Sequence, residues 1–482
     1  MTDPRRPLGL AVCAGQARRR GSVSGVIGVI GGIGGCILLR VNRDDCLNED
    51  ARDPLAPLRA QFALDKVDAE GIIYLDGNSL GVLPKAAIDR VRDVVETEWG
   101  AGLIRSWTAA GWIDLSQRIG DKIARLVGAG TGEIIAADST SVNLYKALGA
   151  AVALNSPPAP RASTSAKATA DRSARQARVR ILSERTNFPT DLYIADTFAR
   201  ERGLELTLVD HDEIISHLDD RVAVLMLTHA SYRTGRIYDM AGVTRSARDA
   251  GAIVIWDLAH TAGAMPVDLH GSGADIAVGC GYKYLNGGPG APAFIWVHPR
   301  HTERLDRESW RPPLSGWLGH AQPFAFAPHY QPANGIQRFI CGTPPVLSMA
   351  PLECGVDTVL AAGDRGGMAA IRNKSLALTD LFMRLVDERC ADSGFTIVTP
   401  REPALRGSQV SIATPDDGYA IMQALIAKGV IGDFRPPDIL RFGFTPLYTR
   451  FVDVWDAVDR LQQVMTSDEW RDPLFAVRSA VT

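Results

Sequence analysis

The sequence predicts an α/β fold with a mostly parallel, mixed sheet, and three features predict it. Between residues 177 and 300, short apolar runs alternate with polar, helix-like stretches. The runs are continuous rather than alternating, which is how strands covered on both faces read. Polar residues able to do chemistry stand directly after several of these runs, where ligands of such sheets bind.

The elements follow in chain order. The stretch "RRRGSVSGVIGVIGGIGGCILLRV" sets a basic cluster before a Gly/Ile/Val run. It reads as a segment absent from the mature protein or disordered. A signal peptide is the other reading, although the cluster sits late for one and the run is too short and Gly-rich for a membrane span. The domain expectation is an extension over 1–41, an arm and part of a small domain over 42–115, a large domain over 116–335 and a small domain over 336–482. In "ADSTSVNLYKALGAAVAL", Ser139, Thr140 and Ser141 precede an amphipathic helix. Hydroxyls and free N–H groups there suit a phosphate, and they also make an ordinary helix cap. Residues 155–178 are mostly Ala, Ser, Thr, Pro and Arg, which reads as a solvated surface insertion. The predicted strands are 179–184, 222–227, 252–257, 275–280 and 293–297. A crossover helix over 239–251 ends on Gly.

Composition excludes several function classes. The 482 residues are 46% hydrophobic and 22% charged, with a net charge of −3. That is ordinary for a globular protein, and it leaves no basic footprint for nucleic acid. The seven cysteines show no CxxC spacing, which fits a reducing, cytoplasmic compartment rather than a disulfide scaffold or zinc site. His298 and His301 form an HxxH that reads as surface, so no metal is expected.

"GCGYKYLNGGPG" places Lys283 between two tyrosines in a glycine loop. Only eight of the 52 basic residues are lysines. A lysine can lose its proton and attack a carbonyl to form a Schiff base, which an arginine cannot do. A solvated lysine on a turn is the plain alternative. The remaining strand ends supply Phe188 and Asp191, then Thr228, then Asp257 and His260, then Tyr282. Together they match the needs of pyridoxal 5'-phosphate: a phosphate cradle, a flat stacking face, a carboxylate for the ring nitrogen and an amine for the aldehyde. Taken singly, each has a structural alternative.

At these residues the chain resembles the kynureninase family of fold-type-I pyridoxal-phosphate enzymes, in the aminotransferase class V group. The motifs "IIYLDGNSLGVLP", "LIRSWTAAGWIDLS", "DSTSVNLYKAL", "NFPTD", "WDLAHTAGAMPVDLH", "GYKYLNGGPGAPAF", "SGWLGH", "GTPPVLSM" and "RFGFTPLYTRFVDVWDAV" stand in the family's order over roughly 42–470. The resemblance implies a large domain with a mixed, mostly parallel sheet between helices, plus a smaller α+β domain. It implies that Lys283 carries the cofactor, that Asp257 pairs with the ring nitrogen beside His260, and that Phe188 stacks on the ring. Tyr282 would lie near the phosphate and the substrate and handle protons. Asp191, Thr140, Ser141 and Thr228 would touch the cofactor. Trp317 and Thr343 match positions supplied from a partner subunit, so a homodimer is implied. Arg441 would grip the substrate's α-carboxylate, bidentately by the shape of its fork. Trp317, His320, Trp107 and Trp112 are candidates for an aromatic pocket.

The implied reaction is hydrolysis of L-kynurenine, or its 3-hydroxy form, to the anthranilate and L-alanine. That reaction belongs to tryptophan breakdown and NAD synthesis. Two departures stand out: the 155–178 insertion, and the residues before about 42, which have no counterpart in the family's start. Val41 stands where Met would. The rival reading is a cysteine desulfurase, which needs a nucleophilic cysteine such as Cys341 on a mobile loop. A cofactor-binding regulator would need a basic DNA-binding helix, and none is read here. No membrane partner is expected.

Overall fold

The computed structural model describes residues 41–155 and 178–478. The chain divides into two units, Met1–Arg40 and Val41–Thr482. The first lies outside the described residues, as does the 155–178 insertion apart from its ends.

After helix Arg43–Arg52, the second unit passes through a two-residue strand, β1 (Ile73–Tyr74). A seven-stranded sheet follows, made of β2 (Ile134–Ala136), β3 (Arg180–Glu184), β4 (Glu205–Val209), β5 (Val222–Thr228), β6 (Ile253–Asp257), β7 (Ile276–Gly279) and β8 (Phe294–Val297). Its order is β2-β8-β7-β6-β5-β3-β4. All pairings are parallel except those of β8, which runs antiparallel to both neighbours. The five predicted strands are present, each within a residue or two of its expected ends.

Alternate residues of each strand feed two separate cores, because successive side chains leave opposite faces. Leu225, Leu227, Val254 and Trp256 enter one core together with Val243, Ile123 and Leu352 of the covering helices. Val224, Met226 and Ile255 enter the other, against Leu144, Ala147 and Leu148 of helix Thr140–Asn155. Every residue of β5 is buried. The crossover helix is Met240–Ala250; Asp239 caps its start and Gly251, at φ 79°, ends it. One helix among the described residues, Val346–Arg365, is long and apolar enough to cross a membrane. Its Met349, Leu352 and Val356 are packed in the first core.

The smaller α+β part holds an antiparallel sheet of β9 (Thr396–Ile397), β10 (Gln409–Ala413), β12 (Asp433–Arg435) and β13 (Ile439–Gly443), ordered β12-β13-β10-β9. β11 (Val430–Ile431) pairs with β1 in parallel. Helices Gly367–Arg389, Gly418–Ala427 and Phe451–Ser467 cover this sheet around a third core. The turn after β1 is stitched to β13 through an Asp76–Gly443 bridge. His298 and His301, expected at the surface, are instead half-buried. His298 caps helix Pro299–Arg307, and His301 Nε2 lies 2.7 Å from Asp275. The carboxylate comes from a neighbouring strand end, which sequence spacing does not show.

Helix Arg43–Arg52 is fastened to the far end of the chain by two carboxylates, Asp456, which accepts from the Arg43 fork, and Asp50. Asp50 accepts N–H bonds from Phe451 (2.7 Å) and Val452 (3.0 Å), capping helix Phe451–Ser467 from outside. Burial raises its pKa and these two bonds oppose the rise. Asp50→Ala should lower stability by about 1–3 kcal/mol, the scale of charged hydrogen bonds lost at a helix start. Chemical denaturation checks this, and an unchanged midpoint would refute the role.

Candidate active site

Parallel pairing sets the strand ends side by side. The register of β5 and β6 puts Thr228 directly beside Asp257. A cavity of about 210 Å³ opens beyond these ends. Its walls are Ser139, Thr140, Ser141, Phe188, Thr190, Asp191, Thr228, Tyr232, Asp257, Ala259, His260, Cys280, Tyr282 and Lys283. Ten residues proposed from the sequence are therefore brought into one cavity: Ser139, Thr140, Ser141, Phe188, Asp191, Thr228, Asp257, His260, Tyr282 and Lys283. Thr190, Tyr232, Ala259 and Cys280 were not singled out, although each lies within four residues of one that was.

Lys283 is buried in a loop whose glycines serve close packing. A Cβ on Gly281 would stand 2.3 Å from the Pro292 carbonyl and 2.8 Å from Leu352. Gly288, at φ 82°, adopts a backbone that only glycine takes without strain. Lys283 Nζ lies 2.9 Å from His260 Nε2, 5.8 Å from the Phe188 ring and 5.7 Å from the Tyr282 ring. Burial, and then the Lys283 charge, hold the His260 pKa well below its usual value. His260 is therefore a neutral imidazole, with Nε2 free to accept from Lys283.

Two buried acids share this cavity. Burial pushes the Asp257 pKa up, while Lys283, the Ala259 N–H and the Thr228 hydroxyl oppose it. Asp191 is pushed up further by burial and by Asp257. Among the described residues its Oδ2 has no hydrogen-bond partner, and neither does His260 Nδ1. Asn187 orders this wall: its Oδ1 accepts from the Thr228 hydroxyl and from the Phe188 N–H. Phe188 stands at the rim, 39% exposed, edge-on to Tyr232 at 5.3 Å.

Six other expected residues lie outside the cavity walls. Trp317 packs with Trp107 (5.9 Å between rings) and Phe324 (5.8 Å), and Trp107 with Trp112. Trp112 joins Trp99, Pro344, Pro345 and Leu347 along a separate apolar groove, reached by the segment that carries Thr343. His320 packs on Tyr330. Arg441 differs from expectation in its partner. It is buried, and its fork is already engaged by a carboxylate: Nε donates to Asp433 Oδ1 at 2.8 Å and Nη2 to Asp433 Oδ2. Nη2 also donates to Ser79 Oγ and Nη1 to the Tyr232 carbonyl. Four of its five N–H groups are thus in use. Arg435 lies 2.7 Å from the same Asp433. Sequence reading missed Asp433 and Ser79, although each lies within or beside a motif already quoted.

Similarity to known proteins follows this geometry. Residues 371–461 match the family model described as the Kynureninase C-terminal domain. A kynureninase of Pseudomonas fluorescens is 52% identical over 443 residues, covering 91% of this chain and 99% of that protein. A kynureninase of Burkholderia pseudomallei is 53% identical over the same shares. Among solved structures, a cysteine desulfurase from Thermococcus onnurineus aligns with a TM-score of 0.66 at 18% identity, covering 85% of this chain and 98% of that one. An alanine–glyoxylate aminotransferase from Nostoc aligns at 0.58 and 16%, covering 82% and 95%. At these identities the structural likeness establishes the fold.

Beside Asp433, burial and the neighbouring carboxylate push the Asp76 pKa up to about 7 from 3.8. The folded chain then holds a proton that the unfolded chain releases, so this residue's contribution to stability falls as pH rises from about 4 to about 7. Asp76→Asn should gain in Tm relative to the wild type across that window, with no further gain above it. A gap between the two melting curves that is constant from pH 4 to pH 8 would contradict the assignment.

Proposed function

The chain belongs to the kynureninase family, and from that premise we propose that it is a pyridoxal-phosphate-dependent hydrolase. It splits the Cβ–Cγ bond of L-kynurenine, or of its 3-hydroxy form, giving the anthranilate and L-alanine. The observation that carries this reading is one buried lysine facing two buried carboxylates and a neutral histidine at adjacent strand ends.

The residues present fit the cofactor. Asp257 and Asp191 face Lys283 in one buried cavity, and Asp191 Oδ2 has no hydrogen-bond partner among the described residues. Two buried acids with one cation call for more positive charge, which a protonated ring nitrogen provides. Ser139, Thr140 and Ser141 offer hydroxyls and the start of a sixteen-residue helix to a phosphate. Phe188 offers a flat face at the rim. Bound there, the cofactor supplies an electron sink for the carbon next to the substrate's amino group.

The chain's own groups do the rest. Lys283 would hold the cofactor through its amine, and that amine, once free, would serve as the base for the Cα proton. His260, accepting from Lys283 Nζ, keeps that nitrogen oriented. Asp257 would pair with the cofactor's ring nitrogen. Tyr282, its pKa raised by burial, stays a neutral donor that can serve the substrate's γ-carbonyl. Arg435 and Arg441 carry two positive charges against Asp433, and Asp76 is only partly ionised near neutral pH, so this corner is net positive and suits the substrate's α-carboxylate. One Nη1–H of Arg441 remains for that contact, so the contact is single rather than bidentate.

The desulfurase reading is disfavoured by the thiols. Burial raises the pKa of Cys341 and of Cys280, so neither is poised as a thiolate. Incubating the protein, loaded with pyridoxal phosphate, with L-kynurenine should release anthranilate, read by its fluorescence. Lys283→Arg should abolish turnover and leave no cofactor that borohydride can fix to residue 283. Sulfide release from cysteine faster than anthranilate release would overturn the assignment.

We infer further that the working form is a cytoplasmic homodimer with shared sites. Trp99, Ile104, Phe324 and Phe326 are 57%, 78%, 63% and 82% exposed. Trp99 opens onto the Trp112 groove and Phe324 packs on Trp317, so exposed apolar side chains stand beside the residues expected to serve a partner. In this reading Trp317, Thr343 and His320 serve the partner's cavity. Mixing Lys283→Arg with Trp317→Ala subunits should restore kynurenine cleavage that neither variant shows alone. No recovery in mixed dimers would mean that each chain completes its own site.

A further inference from the structure

Lys146 lies on helix Thr140–Asn155, two turns below the hydroxyls that line the cavity, and it is fully buried. A buried ammonium is costly unless it is paired and hydrogen-bonded. This one is both: Nζ lies 2.7 Å from Asp138 Oδ2 and donates to the Phe339 carbonyl. Asp138 is the residue before Ser139, and it holds a left-handed backbone, φ 50°, which is strained for a side chain other than glycine. Its carbonyl is held by the Ala293 N–H at 2.9 Å, and the Ala137 carbonyl by Asn143 Nδ2 at 2.8 Å. This bend turns the chain from β2 into the helix, so that Ser139, Thr140 and Ser141 face the cavity.

The same nitrogen reaches a second segment. Phe339 leads through Cys341 to Thr343, and the Cys341 thiol lies in the electrostatic reach of Lys146 and Asp138. The Cys341 backbone is pressed against Gly316, where a Cβ would meet the Cys341 carbonyl at 1.4 Å. Gly316 immediately precedes Trp317.

We propose that Lys146 is a positioning residue for the phosphate cradle, its Nζ locking the Asp138 bend and tying it to the Phe339–Thr343 segment. The role is geometric. The Lys146–Asp138 pair is neutral overall, so its effect on a phosphate comes through the aim of the Ser139–Ser141 donors. A compact ammonium with three donors suits a fully enclosed point between two chain segments, where a wider guanidinium would need more room. The inference rests on the pyridoxal-phosphate reading above.

The test compares pyridoxal phosphate with pyridoxal, which lacks the phosphate, by titrating cofactor-free protein and following the absorbance of the bound ring. Lys146→Met should weaken pyridoxal-phosphate binding by about tenfold or more, the effect of losing one charged hydrogen bond. Pyridoxal binding should stay within about twofold, so discrimination between the two compounds collapses. Asp138→Asn, which keeps the side-chain volume, should act in the same direction and carries the test if Lys146→Met fails to fold. Asp138→Gly should also lose discrimination, although it relieves the backbone, because the ion pair is what holds the bend. Undiminished discrimination in the folded variants would overturn the proposal, as would equal weakening of both compounds, which marks a general defect. A wild-type protein that does not prefer pyridoxal phosphate over pyridoxal would instead sink the cofactor reading itself.

Discussion

Charge at buried positions is the constraint from which the rest follows. Asp191, Asp257 and Lys283 are all buried at the ends of parallel strands, where an unpaired charge is costly. The sheet meets this constraint by register. Thr228 is brought beside Asp257, Asn187 ties Thr228 to the Phe188 turn, and a glycine loop carries Lys283 inward against helix Val346–Leu360. None of these groups would keep its place if the strands slipped by one residue, because a slip sends every side chain to the opposite face. The unmatched acid is then a property of the site: it favours a cationic guest.

A second charged cluster repeats the logic at the seam with the smaller sheet. Asp433 is shared by Arg435 and Arg441, and Ser79, from the turn after β1, bonds to both Asp433 and Arg441. Residues far apart in the chain are thereby fastened around one carboxylate. Arg441 reaches back to the Tyr232 carbonyl, and Tyr232 is a wall of the cavity. The small sheet and the cavity are thus joined by hydrogen bonds as well as by apolar contact.

Much of this was legible in the sequence, for a physical reason. Strands buried on both faces must be apolar throughout, so β3, β5, β6, β7 and β8 announced themselves. The polar residues that end them marked the cavity. β2 was not visible because three apolar residues before a helix carry too little pattern, and β4 because it is a half-exposed edge strand. The Asp433–Arg441 pair depends on the antiparallel register of β12 and β13, which no local spacing encodes. Lys146 reads on paper as one more polar position on an amphipathic helix, and only the fold shows that it is enclosed. Trp317, Thr343 and His320 lie away from the cavity of their own chain, a placement that one chain's sequence cannot specify.

The antiparallel strand β8 has a consequence for how the molecule is assembled. It sits between β7 and β2, so β2 gains its place in the sheet only once β8 has arrived from later in the chain. The bend after β2, which aims the hydroxyls, is fastened to Ala293 beside β8, so the pocket's two poles are complete only with that long-range pairing. A ligand spanning both poles binds the finished fold and no partial one, and by mass action it draws the folding equilibrium toward completion. In such a chain the cofactor supply sets not only how much enzyme is active but how much of it survives.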